Sequence, residues 1–336
     1  MQKLTGKFGL IDQITRNTLI NNKTTVLGIG DDAAVSDHGD LLTLVSTDLL
    51  LEGIHFNLIY TPLKHLGYKA VIRAISDIYA MNGTPSQLLV GIGISSRFSV
   101  EDIENIYIGI NLACKKYNID LAGGDTTSSL TGLTISVTAT GTVEKKYLVK
   151  RDGAQINDLI CVTGDLGASY MGLQLLERER IIYEKTKGPQ PDLTRYQYVV
   201  GRQLKPEFPV DVNKSLREKK IVPTSMIDIS DGLASELLHL CKDSVVGCKI
   251  YYEKLPIDQE TINLAEEFNL DPSVPALNGG EDYELLFTVP LSLHEKVSEI
   301  KNVKVIGHIT EKEQGFYLVS DAGTAIPITA QGFQGE

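Results

Sequence analysis

The chain has 336 residues, 42% of them hydrophobic, and a formal net charge of −11 at pH 7, enough apolar material for a substantial core divided between two domains of ordinary size. The charge argues against a nucleic-acid surface, because no Lys/Arg footprint is clustered anywhere in the sequence. No apolar run reaches the roughly 18 residues of a membrane helix, and no signal-peptide h-region stands near the start, so a cytoplasmic location without membrane attachment is expected.

Apolar runs alternate with helix-period segments throughout, the pattern of an α/β or α+β chain. Strands are expected at 24–29, 41–47, 88–94 and 133–143. Between them, Thr61 and Pro62 read as an N-cap and first-turn proline, after which Leu66, Ala70, Ala74 and Ile78 recur every four residues until Asn82-Gly83 stops the helix. Ser99, with Asp102 three residues on, carries a capping-box signature for a second helix reaching about Tyr117. The charged stretch EKKYLVKRDGAQIND reads as a linker, setting domains at 1–148 and 149–336.

The second half holds strand candidates in DLICVTG, SMIDIS, YELLFTV and VKVIGHI, and an exposed loop at 184–196. GDLGAS at 164–169 and SDGLAS at 230–235 each follow an apolar strand and open a helix, which suggests related strand-to-helix corners. The cysteines, Cys114, Cys161, Cys241 and Cys248, sit apart in apolar company with no CxxC pair and read as buried, inert thiols.

Apolar elements end repeatedly on aspartate. Asp31 and Asp32 follow TTVLGIG, Asp48 follows LLTLVST, Asp125 follows NIDLAGG, and Asp228 and Asp231 stand in SMIDISDG. Asp77 lies inside the helix AVIRAISDIYAM, and Glu281 and Asp282 stand in NGGEDYELLF. Singly, each has a structural reading: a turn at Asp31 or Asp32, an Asp77–Arg73 pair one helical turn apart, a Gly-Gly turn before Asp125, a helix cap at Asp231. Together they repeat one design, an acid beside Gly, Ser or Thr at an element end, where ionised carboxylates need compensation.

Carboxylates gathered without Cys or His partners suit Mg2+ or Ca2+ rather than zinc, and EF-hand spacing is absent. Mg2+ shares its coordination with substrate phosphates, so a nucleotide is the natural second half of such a site. The Gly-Gly pairs at 123–124 and 279–280 permit close backbone approach. Walker A, GxGxxG and protein-kinase motifs are missing, as is a G-x-S-x-G elbow. Among six dispersed histidines His55, in LEGIHF, is singled out, with a satisfied core or interface histidine as its structural alternative.

Taken in order, GIGDDAAV, STDLLLEGIHF, SDIYAMNGTP, LAGGDTT, DISDGLASEL and NGGEDYELLF, with KFGLIDQI near the start, resemble the thiamine-monophosphate kinases. That family belongs to a superfamily with aminoimidazole ribonucleotide synthetase and selenophosphate synthetase. The resemblance runs from about residue 7 to the Gly-Phe near the C-terminus. It implies a two-domain α/β (α+β) architecture like aminoimidazole ribonucleotide synthetase, with the N-terminal domain pairing across a homodimer. The implied reaction is transfer of the ATP γ-phosphoryl group to thiamine monophosphate, assisted by several Mg2+ ions and giving thiamine diphosphate, the last step of its biosynthesis.

By motif, the resemblance implies metal ligation by Asp31, Ser46, Thr47, Asp48, Asp77, Asp125, Asp228 and Asp231. It places Asp31, Tyr107, Gly124, Asp125, Arg151 and Ser230 near ATP, and His55, Glu281 and Phe333 near the thiamine phosphate. Asp31 is preferred over Asp32 as ligand, with Asp32 a supporting or turn residue. The chain departs from the family pattern at Phe333, where the ring is often Trp or Tyr. A phosphate acceptor is already ionised near neutral pH, so no general base is expected among these residues; relief of repulsion between two anions is what the reaction needs.

Two other readings are open to the sequence. A sister enzyme of the superfamily would phosphorylate an amide oxygen or selenide, but no cysteine precedes Cys114, where selenophosphate synthetases carry their reactive residue. A non-enzymatic nucleotide sensor would not need so complete an acidic set.

Overall fold

The structure is a computed structural model that describes residues 6–330. After helix α1 (Gly6–Thr15), the N-terminal half runs β1 (Thr25–Leu27), β2 (Ala34–Asp37), β3 (Leu41–Leu51), α2 (Leu63–Ala80), β4 (Thr84–Ile94), α3 (Val100–Tyr117), β5 (Asp120–Ser128) and β6 (Thr134–Glu144). Its sheet has the order β1-β2-β3-β6-β4-β5. Expected strands reappear with shifted ends: β3 continues to Leu51 and β4 starts at Thr84. The unexpected β2 is short, and β5 is built from Gly, Thr and Asp with almost no apolar alternation.

One face of this sheet is covered and the other open. Along β3, Leu42, Leu44, Ser46 and Leu50 are buried while Leu41, Val45, Thr47, Leu49 and Leu51 are exposed, the period-2 signature of a half-covered strand. Helix α2 covers the inner face with Ala70, Ala74 and Ile78, all fully buried. Its N-cap is Pro62 rather than Thr61, with no side-chain cap bond. Helix α3 has the full capping box at Ser99 and Asp102. The two helices cross at a pair of glycines: a Cβ on Gly67 would lie 2.0 Å from the Ile106 carbonyl oxygen, and one on Gly109 1.9 Å from that of Lys64.

The C-terminal half runs β7 (Leu159–Thr163), α4 (Ala168–Thr186), α5 (Gln197–Leu204), α6 (Val210–Glu218), β8 (Ser225–Ile229), α7 (Leu233–Ser244) and β9 (Gly247–Tyr251). It continues with α8 (Gln259–Glu267), α9 (Ser273–Asn278), β10 (Glu284–Val289), α10 (His294–Ser298), β11 (Val303–Thr310), β12 (Phe316–Val319) and β13 (Ala325–Pro327). The second sheet has the order β13-β12-β9-β11-β7-β10-β8 and is antiparallel except where β12 meets β9. Strands β7, β8 and β10 are buried along their whole lengths, which is why they read as continuous apolar runs.

Helix α2 is a wall shared by both halves. Asn213 Nδ2 donates to the Tyr79 carbonyl at 3.0 Å, and Phe208 stacks on Tyr79 at 4.6 Å between ring centroids. A single apolar core therefore runs from the first sheet through α2 to Met226, Leu285 and Phe287 on the near face of the second. The far face packs on α7 and α9 as a separate core. All four cysteines are buried, and burial raises the thiol pKa of Cys161 to about 12 and of Cys114 to about 11. Among the described residues, no helix is long and apolar enough to cross a membrane.

Candidate active site

The repeated corner is real. β7 enters α4 through Gly167 at φ +84°, and β8 enters α7 through Gly232 at φ +116°, both left-handed conformations that favour glycine. The turn between α9 and β10 is wedged between the two. Gly280, Glu281 and Tyr283 all take positive φ there, Glu281 N donates to the Ser230 carbonyl at 2.8 Å, and Gly167 N donates to Asp282 Oδ2 at 2.9 Å. Glu281 and Asp282 are thereby aimed apart, the first toward α2 and the second toward the start of α4.

A cleft of about 910 Å³ opens between the two halves, against α2, the β2–β3 edge and the Ser230 corner. Asp31, Asp32, Ser46, Thr47, Asp48, Asp77, Asp228, Ser230, Asp231 and Arg151 all line it. Carboxylate oxygens of Asp32, Asp77 and Asp228 fall within 4.8 Å of one another. They arrive from three elements, the Gly30–Asp32 turn, the last turn but one of α2 and the end of β8.

Electrostatics mark this triad as only partly compensated. Burial raises the Asp32 carboxyl to about 8 and Asp228 to about 6, with Asp228 and Asp31 adding repulsion at the first and Asp48 at the second. Burial likewise holds Asp77 well above the carboxylate range, reinforced by Asp48, Asp228 and Asp32. Two compensations act from the protein: Arg151 Nη2 reaches Asp32 Oδ1 at 2.5 Å, and Ser76 Oγ donates to Asp228 Oδ2 at 2.6 Å. Among the described residues, Asp32 Oδ2 and Asp48 Oδ2 are buried and have no hydrogen-bond partner. Hard oxygens that are buried, crowded and unpartnered fit a divalent cation such as Mg2+.

The structure redistributes several expectations. Asp32, not the preferred Asp31, joins the triad; Asp31, which also lines the cleft, instead accepts from Asp32 N at 2.9 Å and Arg151 N at 3.3 Å, two backbone bonds that fix the corner. Asp48 lies within β3 rather than after it, and pairs with Arg73 at 2.8 Å, so the Asp77–Arg73 pair is replaced by Asp48–Arg73. Ser46 Oγ donates to the Ala74 carbonyl at 3.1 Å, and Thr47 Oγ1 meets Thr138 Oγ1 at 3.1 Å on the open face of the sheet. Asp231 N donates to Glu236 Oε1 at 2.8 Å.

Gly124, Asp125 and Tyr107 are not among the residues lining the cleft. Asp125 lies inside the edge strand β5, in register with Gly91, Ser136 and Leu49, while Asp48 belongs to the neighbouring row with Val137, Val90 and Gly124. Adjacent rows point to opposite faces, so within one protomer Asp125 faces away from Asp48. Gly124 has a packing reason for being glycine, since a Cβ there would lie 1.9 Å from the Val90 carbonyl oxygen. Tyr107 packs partly against the core from α3. Phe333 lies outside the described residues.

His55 and Glu281 are also not among the residues lining the cleft; they stand near each other and near Arg73 and Asp48, which do line it. His55 Nδ1 accepts from Leu51 N at 3.0 Å, which leaves the proton on Nε2 in the neutral ring, and burial followed by the Arg73 charge lowers its pKa. Although burial alone would raise it, the Glu281 carboxyl is held below its ordinary range by Lys69 at 2.8 Å, Arg73 at 3.8 Å and Gln203 at 3.3 Å. Sequence reasoning missed Lys69 and Glu236, and named Arg73 only as a structural partner of Asp77. The signal was present: Lys69, Arg73 and Asp77 stand at four-residue spacing along a helix most of whose residues are buried, one charged stripe on a buried cylinder.

Comparison with known proteins places the chain in a family. Residues 30–143 match the family model "AIR synthase related protein, N-terminal domain". The thiamine-monophosphate kinase of Bacillus subtilis (strain 168) is 34% identical, over 97% of this chain and 98% of its own, and that of Aquifex aeolicus (strain VF5) 35% identical over 93% and 94%. The solved structure "AaThiL complexed with AMPPCP and TMP" superposes with a TM-score of 0.83 at 32% identity, covering 97% of each chain. With identity above 30% over nearly the whole length and the acidic cleft in the same fold, the chain belongs to the thiamine-monophosphate kinase family.

Proposed function

We propose that this chain phosphorylates thiamine monophosphate with ATP, giving thiamine diphosphate and ADP. The observation that carries the reading is the Asp32–Asp77–Asp228 triad, with the buried, unpartnered Oδ2 atoms of Asp32 and of neighbouring Asp48, in a cleft of a chain whose relative forms a complex with AMPPCP and TMP. Several Mg2+ ions held by Asp32, Asp48, Asp77, Asp228 and Asp231 would supply charge neutralisation on the bridging oxygens of the donor. The chain's own residues do the rest. Arg151 and the Asp31 turn fix Asp32, and Ser76 fixes Asp228. Ser230 lines the nucleotide side, and His55 and Glu281 stand on the acceptor side. An acceptor oxygen attacks the γ-phosphorus as the bond to the ADP oxygen breaks; no side chain need remove a proton, because the acceptor phosphate enters ionised.

Asp125 enters this scheme only across a homodimer. The open face of the first sheet presents Val45, Leu49, Leu51 and Leu89 among threonines, and β5 beside it is exposed along nearly its whole length. Pairing of this face with a second copy would cover the apolar residues and bring Gly124, Asp125 and Tyr107 toward the partner's cleft. A cytoplasmic enzyme with ATP and thiamine monophosphate as its partners is the resulting picture.

A coupled assay of ADP release tests the reading, comparing thiamine monophosphate with free thiamine and aminoimidazole precursors in the presence of Mg2+. Turnover with the monophosphate alone is expected. Turnover with an aminoimidazole precursor instead would move the chain to a sister activity.

A further inference from the structure

Among the described residues, four basic side chains stand in or beside the cleft, Lys69, Arg73, Arg151 and Lys242. Two of them are consumed by the protein. Lys69 is almost fully buried and divided between the Gln203 carbonyl at 2.9 Å and Glu281 Oε2 at 2.8 Å. Arg151 faces the carboxylates of the triad's own corner, donating from Nη2 to Asp32 Oδ1 with Asp31 Oδ1 at 3.7 Å from its buried Nε. Arg73 is different. Its guanidinium donates a single hydrogen bond from the side chain, Nε to Asp48 Oδ1 at 2.8 Å, while Nη1 lies 3.8 Å from Glu281 Oε1, beyond hydrogen-bond reach, with Tyr283 also beside the charge. Apart from that ion pair, the N–H donors of both Nη groups make no hydrogen bond within the described protein, on a side chain 19% exposed in the cleft wall.

Position gives those donors a meaning. Arg73 stands between Asp48, next to the triad, and Glu281, on the side where His55 also faces in. It is anchored in the middle of α2, and Asp48 fixes the plane of the fork through Nε. A guanidinium oriented through one nitrogen while offering its remaining edge is the arrangement that reads a phosphate bidentately. From this geometry we infer that Arg73 binds the phosphate of the acceptor and distinguishes thiamine monophosphate from thiamine. The inference rests on the activity proposed above and assigns its phosphate-reading residue. It also gives the Asp48–Arg73 pair a second role: Asp48 keeps Oδ2 for a cation while Oδ1 aims the arginine.

Calorimetric titration of the nucleotide-free protein with thiamine monophosphate and with thiamine tests it. In wild type the monophosphate should bind more tightly. Arg73→Gln should weaken its binding about 10- to 100-fold, the loss expected for a charge-assisted pair, and leave thiamine binding unchanged. Arg73→Lys, which keeps the charge and loses the fork, should fall in between. Repeating the comparison in an Asp48→Asn background separates contact from release of the Asp48 charge, and the preference for the monophosphate must still drop. An unchanged ratio of the two affinities in Arg73→Gln, or an equal loss for both ligands, would overturn the assignment. If Arg73→Gln melts at room temperature, Arg73→Lys decides by the same ratio. Failure of wild type to turn over thiamine monophosphate would sink the activity itself, whereas turnover with an unchanged ratio would sink only the role of Arg73.

Discussion

Asp77→Asn should make the metal-free protein more stable while removing its response to Mg2+. Carboxylate oxygens of Asp32, Asp77 and Asp228 lie within 4.8 Å of one another, and two unit charges at that separation repel by about 3 kcal/mol at an effective dielectric of about 20. The raised carboxyls give a similar scale: Asp228, lifted from 3.8 to about 6, costs roughly 3 kcal/mol once it is ionised. A carboxyl whose folded pKa exceeds its unfolded value weakens the fold above that folded pKa, so at pH 8 the cost at Asp228 is fully present. Among the described residues Asp77 makes no side-chain hydrogen bond, so the amide sacrifices none. Partial protonation already relieves some repulsion, and a net gain of about 1–3 kcal/mol follows, a rise of a few degrees in melting temperature. With Mg2+ at about a hundredfold its dissociation constant, wild type should gain about 2.7 kcal/mol and the variant little. Scanning fluorimetry at pH 8, in EDTA and then in Mg2+, reads both effects. A variant that melts lower than wild type in EDTA, or that responds equally to Mg2+, would refute the cation site.

The dimer reading makes a mixing prediction: Asp77→Asn and Asp125→Asn should each be inactive, yet co-refolded they should recover about a quarter of wild-type activity, because half the dimers then hold one intact site. No recovery in a mixture shown by native mass spectrometry to contain heterodimers would count against a shared site. Gly67→Ala should lose several kcal/mol in urea unfolding, since its Cβ would sit 2.0 Å from the Ile106 carbonyl oxygen and push α3 off α2. Ser99→Ala removes a capping box and should cost about 1 kcal/mol by the same measurement. At the other corner, burial raises Asp282 to about 7, so the folded state keeps a proton that the unfolded state sheds near 4. Stability should therefore fall between about pH 4 and pH 7, by at most about 4 kcal/mol, and Asp282→Asn should flatten that slope in denaturation at stepped pH.

What the sequence makes legible follows the strength of its local signals. The four-residue recurrence in α2 and the Ser99–Asp102 box in α3 are local rules, and both helices form where those rules put them. β5 escapes them because its side chains are Gly, Asp, Thr and Ser, whose strand state comes from pairing with β4 and not from alternation. The short β2 and β13 have too few residues to show a period. The acidic residues could be read as a set, since the recurrence of aspartate beside small residues survives without coordinates. Their grouping could not. Whether Asp31 or Asp32 turns inward depends on the Asp31 carboxylate's bond to the next backbone N–H and on Arg151, 119 residues from Asp32 in the chain.

The same limit explains Asp125. Sequence order sets LAGGDTT beside GIGDDAAV as equivalent acidic ends, yet pairing register gives them different faces of one sheet. Two adjacent rows, Asp48–Val137–Val90–Gly124 and Leu49–Ser136–Gly91–Asp125, point in opposite directions, and a one-residue slip of β5 would exchange them. Gly124 resists that slip: at its present register it lies against the Val90 carbonyl with no room for a side chain, and moving Asp125 into that place would drive a carboxylate into backbone. The second glycine of LAGGDTT is therefore a register lock. It fixes Asp125 on the outer face, turned away from Asp48 and from this chain's own cleft.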